Sequence, residues 1–228
     1  MLLAVTNEST KFTATDLDKA VSACDTQMKL HLAPVWEMIP APIVVFEDTR
    51  RIPADADILT ILDDSDQAGF LGYHRMTPDG RPYSRVFVNP ILNHGGEMLT
   101  TSLSVSTVMS HEICEWFIDR LLNLWADGPE GQYPLEVCDP VADDTYETNG
   151  VSVSNFVYKR FFDARAPATC QFDHLNRLKA PFTVSSGGQI QVRKNGKVQA
   201  TYGGFVPQWK KSLKEFPASR SYRRRGTS

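Results

Sequence analysis

The sequence has no Cys-x-x-Cys pair, no apolar run near the length of a membrane span, no internal repeat, no low-complexity segment and no large excess of either charge. Each absence narrows the field. Without paired cysteines the chain does not read as a zinc ribbon, and Cys24, Cys114, Cys138 and Cys170 are expected to be reduced, mostly buried thiols. Without about 20 consecutive apolar residues there is no candidate membrane helix. A formal net charge of −3 calls for no nucleic acid and no membrane as partner. The opening MLLAVTNEST has neither the basic stretch nor the long apolar stretch of a signal peptide. The expected setting is therefore a reducing, cytoplasmic one.

What is present is a chain of 228 residues, 42% hydrophobic and 22% charged, a balance that suits one globular core. Residues 15–33 carry Leu17, Val21, Cys24 and Met28 at helical spacing behind Thr15 or Asp16 as a cap, and Pro34, Pro40 and Pro42 end that helix. Apolar runs at 42–48, 56–64, 69–76 and 83–90 read as strands, the second of them continuous enough to be buried on both faces. The last two flank the turn TPDGRP and predict an antiparallel hairpin. A long helix is expected over 100–125. Thr100, Thr101 or Ser102 would cap it, Ile113, Phe117, Leu121 and Leu124 form its apolar stripe, and Asp127-Gly128-Pro129 stops it. Alternation at 149–162 predicts a further strand, and 187–204 a hairpin about Asn195-Gly196. The expected class is α+β: a mixed twisted sheet packed on a long helix, followed by a loop- and β-rich part. Residues 1–140 would form the main core and 141–228 an extension packed on it, with a basic tail at 217–228. Arg220, Arg223, Arg224 and Arg225 lie on that tail and read as solvated charge rather than a nucleic-acid surface.

The chemistry is concentrated in VMSHEICEWFID, residues 108–119. His111 and Glu115 are four apart, so a helix places them one above the other, able to grip one ion. Glu112 is rotated about 100° from His111. From there it can stand beside a metal without binding it, where a general base belongs. Imidazole and carboxylate are both ordinary zinc ligands, and replacing the second histidine of H-E-x-x-H by glutamate makes other divalent cations less disfavoured. A third ligand has to come from beyond the helix. YPLEVCDPV, residues 133–141, offers Glu136 and Asp139, one to bind the ion and the other to orient His111; Glu136 is the preferred ligand. Asp119, one turn past Glu115, could hydrogen-bond a ligand or hold the next loop. His31, His74, His94 and His174 are alternative ligands, but each stands alone, and a lone histidine is more often a satisfied polar group than a ligand. Cys114 sits between Ile113 and Glu115 and reads as core packing. Tyr133 and Tyr146 are candidates for an oxyanion donor, or packing aromatics.

ADADILTILDD, GFLGYHRM and YSRVFVNP precede SHEICEWFID in that order, and this segment resembles the zincin metallopeptidases. SHEICEWFID with the later LEVCDP resembles, more narrowly, zincin-like proteins with H-E-x-x-E and a downstream E-x-x-D, found among uncharacterised bacterial and phage-encoded sequences. The likeness covers somewhat over a third of the chain. It implies a zincin-like fold with an active-site helix, a Zn2+ cofactor held by His111, Glu115 and either Glu136 or Asp139, and Glu112 as base. It further implies a peptide or protein substrate laid along an edge strand at Arg85, Val86 and Phe87. The expected function is metallopeptidase hydrolysis. The alternative is an inactive zincin-like structural or binding protein associated with a virion, with a phage or virion protein as partner.

Overall fold

The computed structural model describes residues 1–67 and 69–204. It is a mixed α and β chain with several sheets and few helices. The first sheet has five strands: β1 (Leu3–Asn7), β2 (Ile43–Val45), β3 (Asp57–Leu62), β4 (Gly72–Met76) and β5 (Pro82–Phe87). Their spatial order is β2–β1–β3–β5–β4. All pairs are parallel except β4 with β5.

Parallel strands need long crossovers. The one between β1 and β2 is helix α1 (Ala14–Thr26), which runs on through a π turn at Gln27–Leu32 into the short α2 (Ala33–Trp36). Its cap is Thr13, whose hydroxyl accepts from the Asp16 N–H while the Asp16 carboxylate accepts from the Thr13 N–H. The π turn leaves Gln27 buried. Its amide donates to the Ser154 carbonyl at 2.7 Å and accepts from the Cys114 thiol at 3.4 Å, tying this helix to its neighbours.

The hairpin expected about TPDGRP is present, but β5 does not lie at the edge. It bonds β3 on one side and β4 on the other, so Arg85, Val86 and Phe87 are interior to the sheet and cannot be an edge strand for a substrate. The pairing of β5 with β3 places β4 outermost, which the hairpin signal alone did not specify. β3 alternates between buried and half-buried residues.

After α3 (Val88–Asn93) comes α4 (Val105–Ile118), shorter than the 100–125 helix expected. Ser104 caps it, its hydroxyl accepting from the Thr107 N–H at 3.1 Å. It stops at Ile118 because Asp119 turns its carboxylate onto the N–H groups of Asn123 and Leu124, at 3.0 and 2.9 Å, competing with helix continuation. Leu122 then takes a left-handed backbone, φ 52°. Leu121 and Leu124, which extend the apolar period, are 39% and 45% exposed and belong to no core stripe. Asp127-Gly128-Pro129 does not stop a helix: Asp127 and Gly128 end β6 (Trp125–Gly128), which turns through Pro129-Glu130 to pair with β7 (Gly131–Pro134).

Downstream, β8 (Thr145–Thr148) and β9 (Val151–Ser154) form a two-stranded sheet, and only this short part of 149–162 is strand. β9 packs on α4, where the Ser154 N–H donates to the Ser110 hydroxyl at 2.7 Å. The hairpin β10 (Gln189–Lys194) and β11 (Lys197–Tyr202) turns at Asn195-Gly196, both at positive φ as a primed two-residue turn requires. β10 also pairs with β7, so the second sheet joins residues on either side of position 140. One hydrophobic cluster runs from Leu3 through α4 to Val192. The tail at 217–228, with its four arginines, lies outside the described residues. No helix among the described residues is long and apolar enough to cross a membrane.

Candidate metal centre

Helix α4 is buried along its length except at Val108 and His111. Glu112 is 6% exposed and Glu115 2%, so neither sits on a solvated acidic face. Uncompensated charges at such depth cost several kcal/mol each. Three elements bring compensating groups. β4 presents His74, 2% exposed, to the inner side of the helix. The segment after β7 is held by the Val157 N–H on the Val137 carbonyl at 2.8 Å and carries Glu136 and Asp139 back over it. β10 supplies Gln189, whose amide donates to Asp139 Oδ2 at 2.9 Å.

Two groups of ligand-type atoms result, each with its atoms within 4.8 Å of one another. In the outer group, His111 Nε2 stands 3.3 Å from Glu115 Oε1 and 3.8 Å from Asp139 Oδ1. In the inner group, His74 Nδ1 stands 3.3 Å from Glu112 Oε2 and 3.6 Å from Glu115 Oε2. Glu136 Oε2 faces the other ring nitrogen of His74 at 3.9 Å. Glu115 thus offers one oxygen to each group.

These spacings suit ligands better than ion pairs. A charge-assisted N–H···O bond closes to about 2.7–2.9 Å. Ligands held tetrahedrally at about 2.0–2.1 Å from one zinc ion stand about 3.3–3.4 Å apart. Among the described residues, Glu115 Oε1, 3.3 Å from His111 Nε2, and His74 Nε2 have no well-formed hydrogen-bond partner. Buried atoms in that state are rare without an ion or water to satisfy them. The donor set of imidazole nitrogen and carboxylate oxygen suits zinc and the harder divalent cations. The residues of the outer group therefore fit a divalent cation.

The electrostatics point the same way. Burial, then the nearby Glu136 carboxyl, pushes Glu115 well above the usual carboxylate range, with His111 opposing. Burial works against a charged His111, but the Glu115 carboxylate beside it, with Cys138 and Glu112 adding, holds it well above the usual imidazole value. Both shifts mean that a cation bound here competes with protons.

Of the residues singled out by sequence, His111, Glu115 and Asp139 converge. Glu136 lies against His74, and Glu112 lies on the inner side. The Asp119 carboxylate holds the turn after the helix. His74 is one of the four lone histidines that the sequence leaves as alternative ligands, and its place here is set by packing of β4 on α4 across 38 positions of sequence, which no local spacing encodes. Gly72 is a second unforeseen contributor: a Cβ there would lie 2.6 Å from Val108 Cγ1 and 3.3 Å from Glu112 Oε1, so only glycine lets the helix approach the strand this closely. The tyrosines are occupied elsewhere. The Tyr133 ring packs on Phe182, and the Tyr146 hydroxyl lies 2.9 Å from His31 Nδ1, with His174 stacked on His31. All four cysteines are free, and Cys114 packs in the core. Comparison of the chain with protein-family models, with curated proteins and with solved structures finds no match.

Proposed function

We propose that this chain is a zincin-like, zinc-dependent metallopeptidase whose cation is held by His111, Glu115 and Asp139, with Glu112 as general base. The observation that carries the reading is the convergence of Glu115 Oε1 and Asp139 Oδ1 on His111 Nε2 at 3.3 and 3.8 Å, the Glu115 oxygen being buried and without a well-formed hydrogen-bond partner among the described residues. When bound, a divalent cation there supplies a Lewis acid and an activated water. The chain supplies the rest. Glu112 follows His111 directly in the helix, and its carboxylate accepts a proton and returns it to the departing amine. His74 Nδ1, 3.3 Å from Glu112 Oε2, fixes the direction in which that carboxylate points. Gln189 orients Asp139. An extended peptide or protein substrate would align with β4, the outermost strand on the α4 side of the hairpin and one of the two edges of the first sheet, in place of the interior β5.

The test is reconstitution of the purified chain with one equivalent of zinc, assayed on a broad peptide library beside Glu112→Gln. The expected result is zinc-dependent cleavage, lost by at least about 100-fold in the variant while zinc at the outer site is retained. Zinc bound without cleavage by the wild type overturns the peptidase. It leaves the second reading, an inactive zincin-like structural or binding protein associated with a phage or virion partner. The burial of Glu112 and His74, at 6% and 2% exposure, favours that form.

A further inference from the structure

We infer that the chain carries a second divalent-cation subsite, deeper than the first and sharing Glu115 with it, with His74 Nδ1, Glu112 Oε2 and Glu115 Oε2 as its ligands. This rests on the proposed outer site and adds a regulatory feature to it. The shared residue is the key. Glu115 directs Oε1 toward His111 and Oε2 toward His74, the arrangement of a carboxylate bridging two ions.

Three observations converge on the inner group. Its contacts are a long hydrogen bond between His74 Nδ1 and Glu112 Oε2 at 3.3 Å and an approach of His74 Nδ1 to Glu115 Oε2 at 3.6 Å, both longer than the usual charge-assisted bond and near the separation of two ligands on one ion. His74 is 2% exposed and its Nε2 has no hydrogen-bond partner, although it points toward Glu136 Oε2 at 3.9 Å. That is the position of the outer carboxylate that orients a ligating histidine, drawn in when the ring binds metal through its other nitrogen. Finally, charge: four carboxyl groups, Glu112, Glu115, Glu136 and Asp139, surround two imidazoles in a mostly buried space. One divalent cation balances half of their full ionisation and two balance all of it, which matters where unpaired charge is expensive.

The subsite has a functional consequence. An ion on Glu112 Oε2 takes the carboxylate that acts as base, so the second ion inhibits. Activity rises with the first equivalent of zinc and falls with the second.

The experiment is equilibrium dialysis of the full chain against zinc alone, with metal and protein quantified, beside His74→Ala and Glu112→Gln. The inference expects two ions bound by the wild type and one by each variant. Two variants are used because His74 is buried and its truncation can fail to fold; Glu112→Gln keeps the side-chain shape. One ion on the wild type overturns the second subsite and leaves the outer site standing. None on the wild type overturns both. Two ions retained by both variants overturn the ligand assignment.

Discussion

Asp57 and Glu115 are both carboxylates buried against helix α4, 3% and 2% exposed, and the protein treats them in opposite ways. Asp57 opens β3 and is fully engaged. Trp116 Nε1 donates to it at 2.8 Å, Arg120 Nη2 at 2.8 Å, and Arg120 Nε closes the fork. Asp173, fully buried, is handled likewise, accepting from Asn155 Nδ2 and from the N–H groups of Leu175, Arg177 and Leu178. Glu115, one position before Trp116, has an oxygen with no hydrogen-bond partner and imidazoles at 3.3 and 3.6 Å. The same helix thus carries one carboxylate contact that holds the fold and one that strains it. A group kept under strain at this depth is either costly or waiting for something that relieves it, and a cation relieves it.

Removing each carboxylate should have opposite effects. Asp57→Ala leaves the Trp116 and Arg120 donors without their acceptor and is expected to lower unfolding free energy by roughly 3 kcal/mol, read by urea unfolding. Gly72→Ala drives a methyl into Val108 and the Glu112 carboxylate. A loss of about 2 kcal/mol is expected, together with weaker cleavage from a displaced Glu112. Glu115→Gln removes a buried carboxyl whose ionised form the site disfavours, so at a pH that ionises it the metal-free chain should gain about 1 kcal/mol in the same measurement while zinc no longer stabilises it. A loss of stability on that substitution in the metal-free chain would show that Glu115 is paired after all.

His111 and Glu115 both bind their protons more tightly folded than unfolded. Their contribution to the metal-free chain is complete below their ordinary values, 6.5 and 4.5, and is lost as pH rises through the folded values. Metal-free stability should therefore decline as pH climbs from about 4.5, and zinc stabilisation should grow over the same span because binding needs both groups deprotonated. Thermal unfolding at a series of pH values, with and without zinc, measures both slopes.

Much of this site was legible in the sequence because it is local. The four-residue spacing of His111 and Glu115 and the short reach to Asp139 are properties of one helix and the segment after it. The two hairpins were legible from their turn residues. What was not legible depends on distant packing. His74 reaches Glu112 only because β4 lies across α4, and β4 is outermost only because β5 pairs with β3. The helix was overextended because Leu121 and Leu124 keep the apolar period while Asp119, by capping the turn beyond, ends the helix. The one signal that favoured His74 was its place in a strand, GYHRM, whose neighbours Tyr73, Arg75 and Met76 are all buried; a histidine there has to be satisfied by something.

The central claim is that the space between β4, α4 and the Glu136–Asp139 segment holds a divalent cation. Thermal unfolding of the intact chain stripped with chelator and then restored with zinc tests it most directly. At zinc about 100-fold above its dissociation constant the stabilisation should be about 2.7 kcal/mol, a rise of roughly 5–10 °C in the unfolding midpoint, absent in Glu115→Gln. An unfolding midpoint indifferent to zinc in the wild type would contradict it.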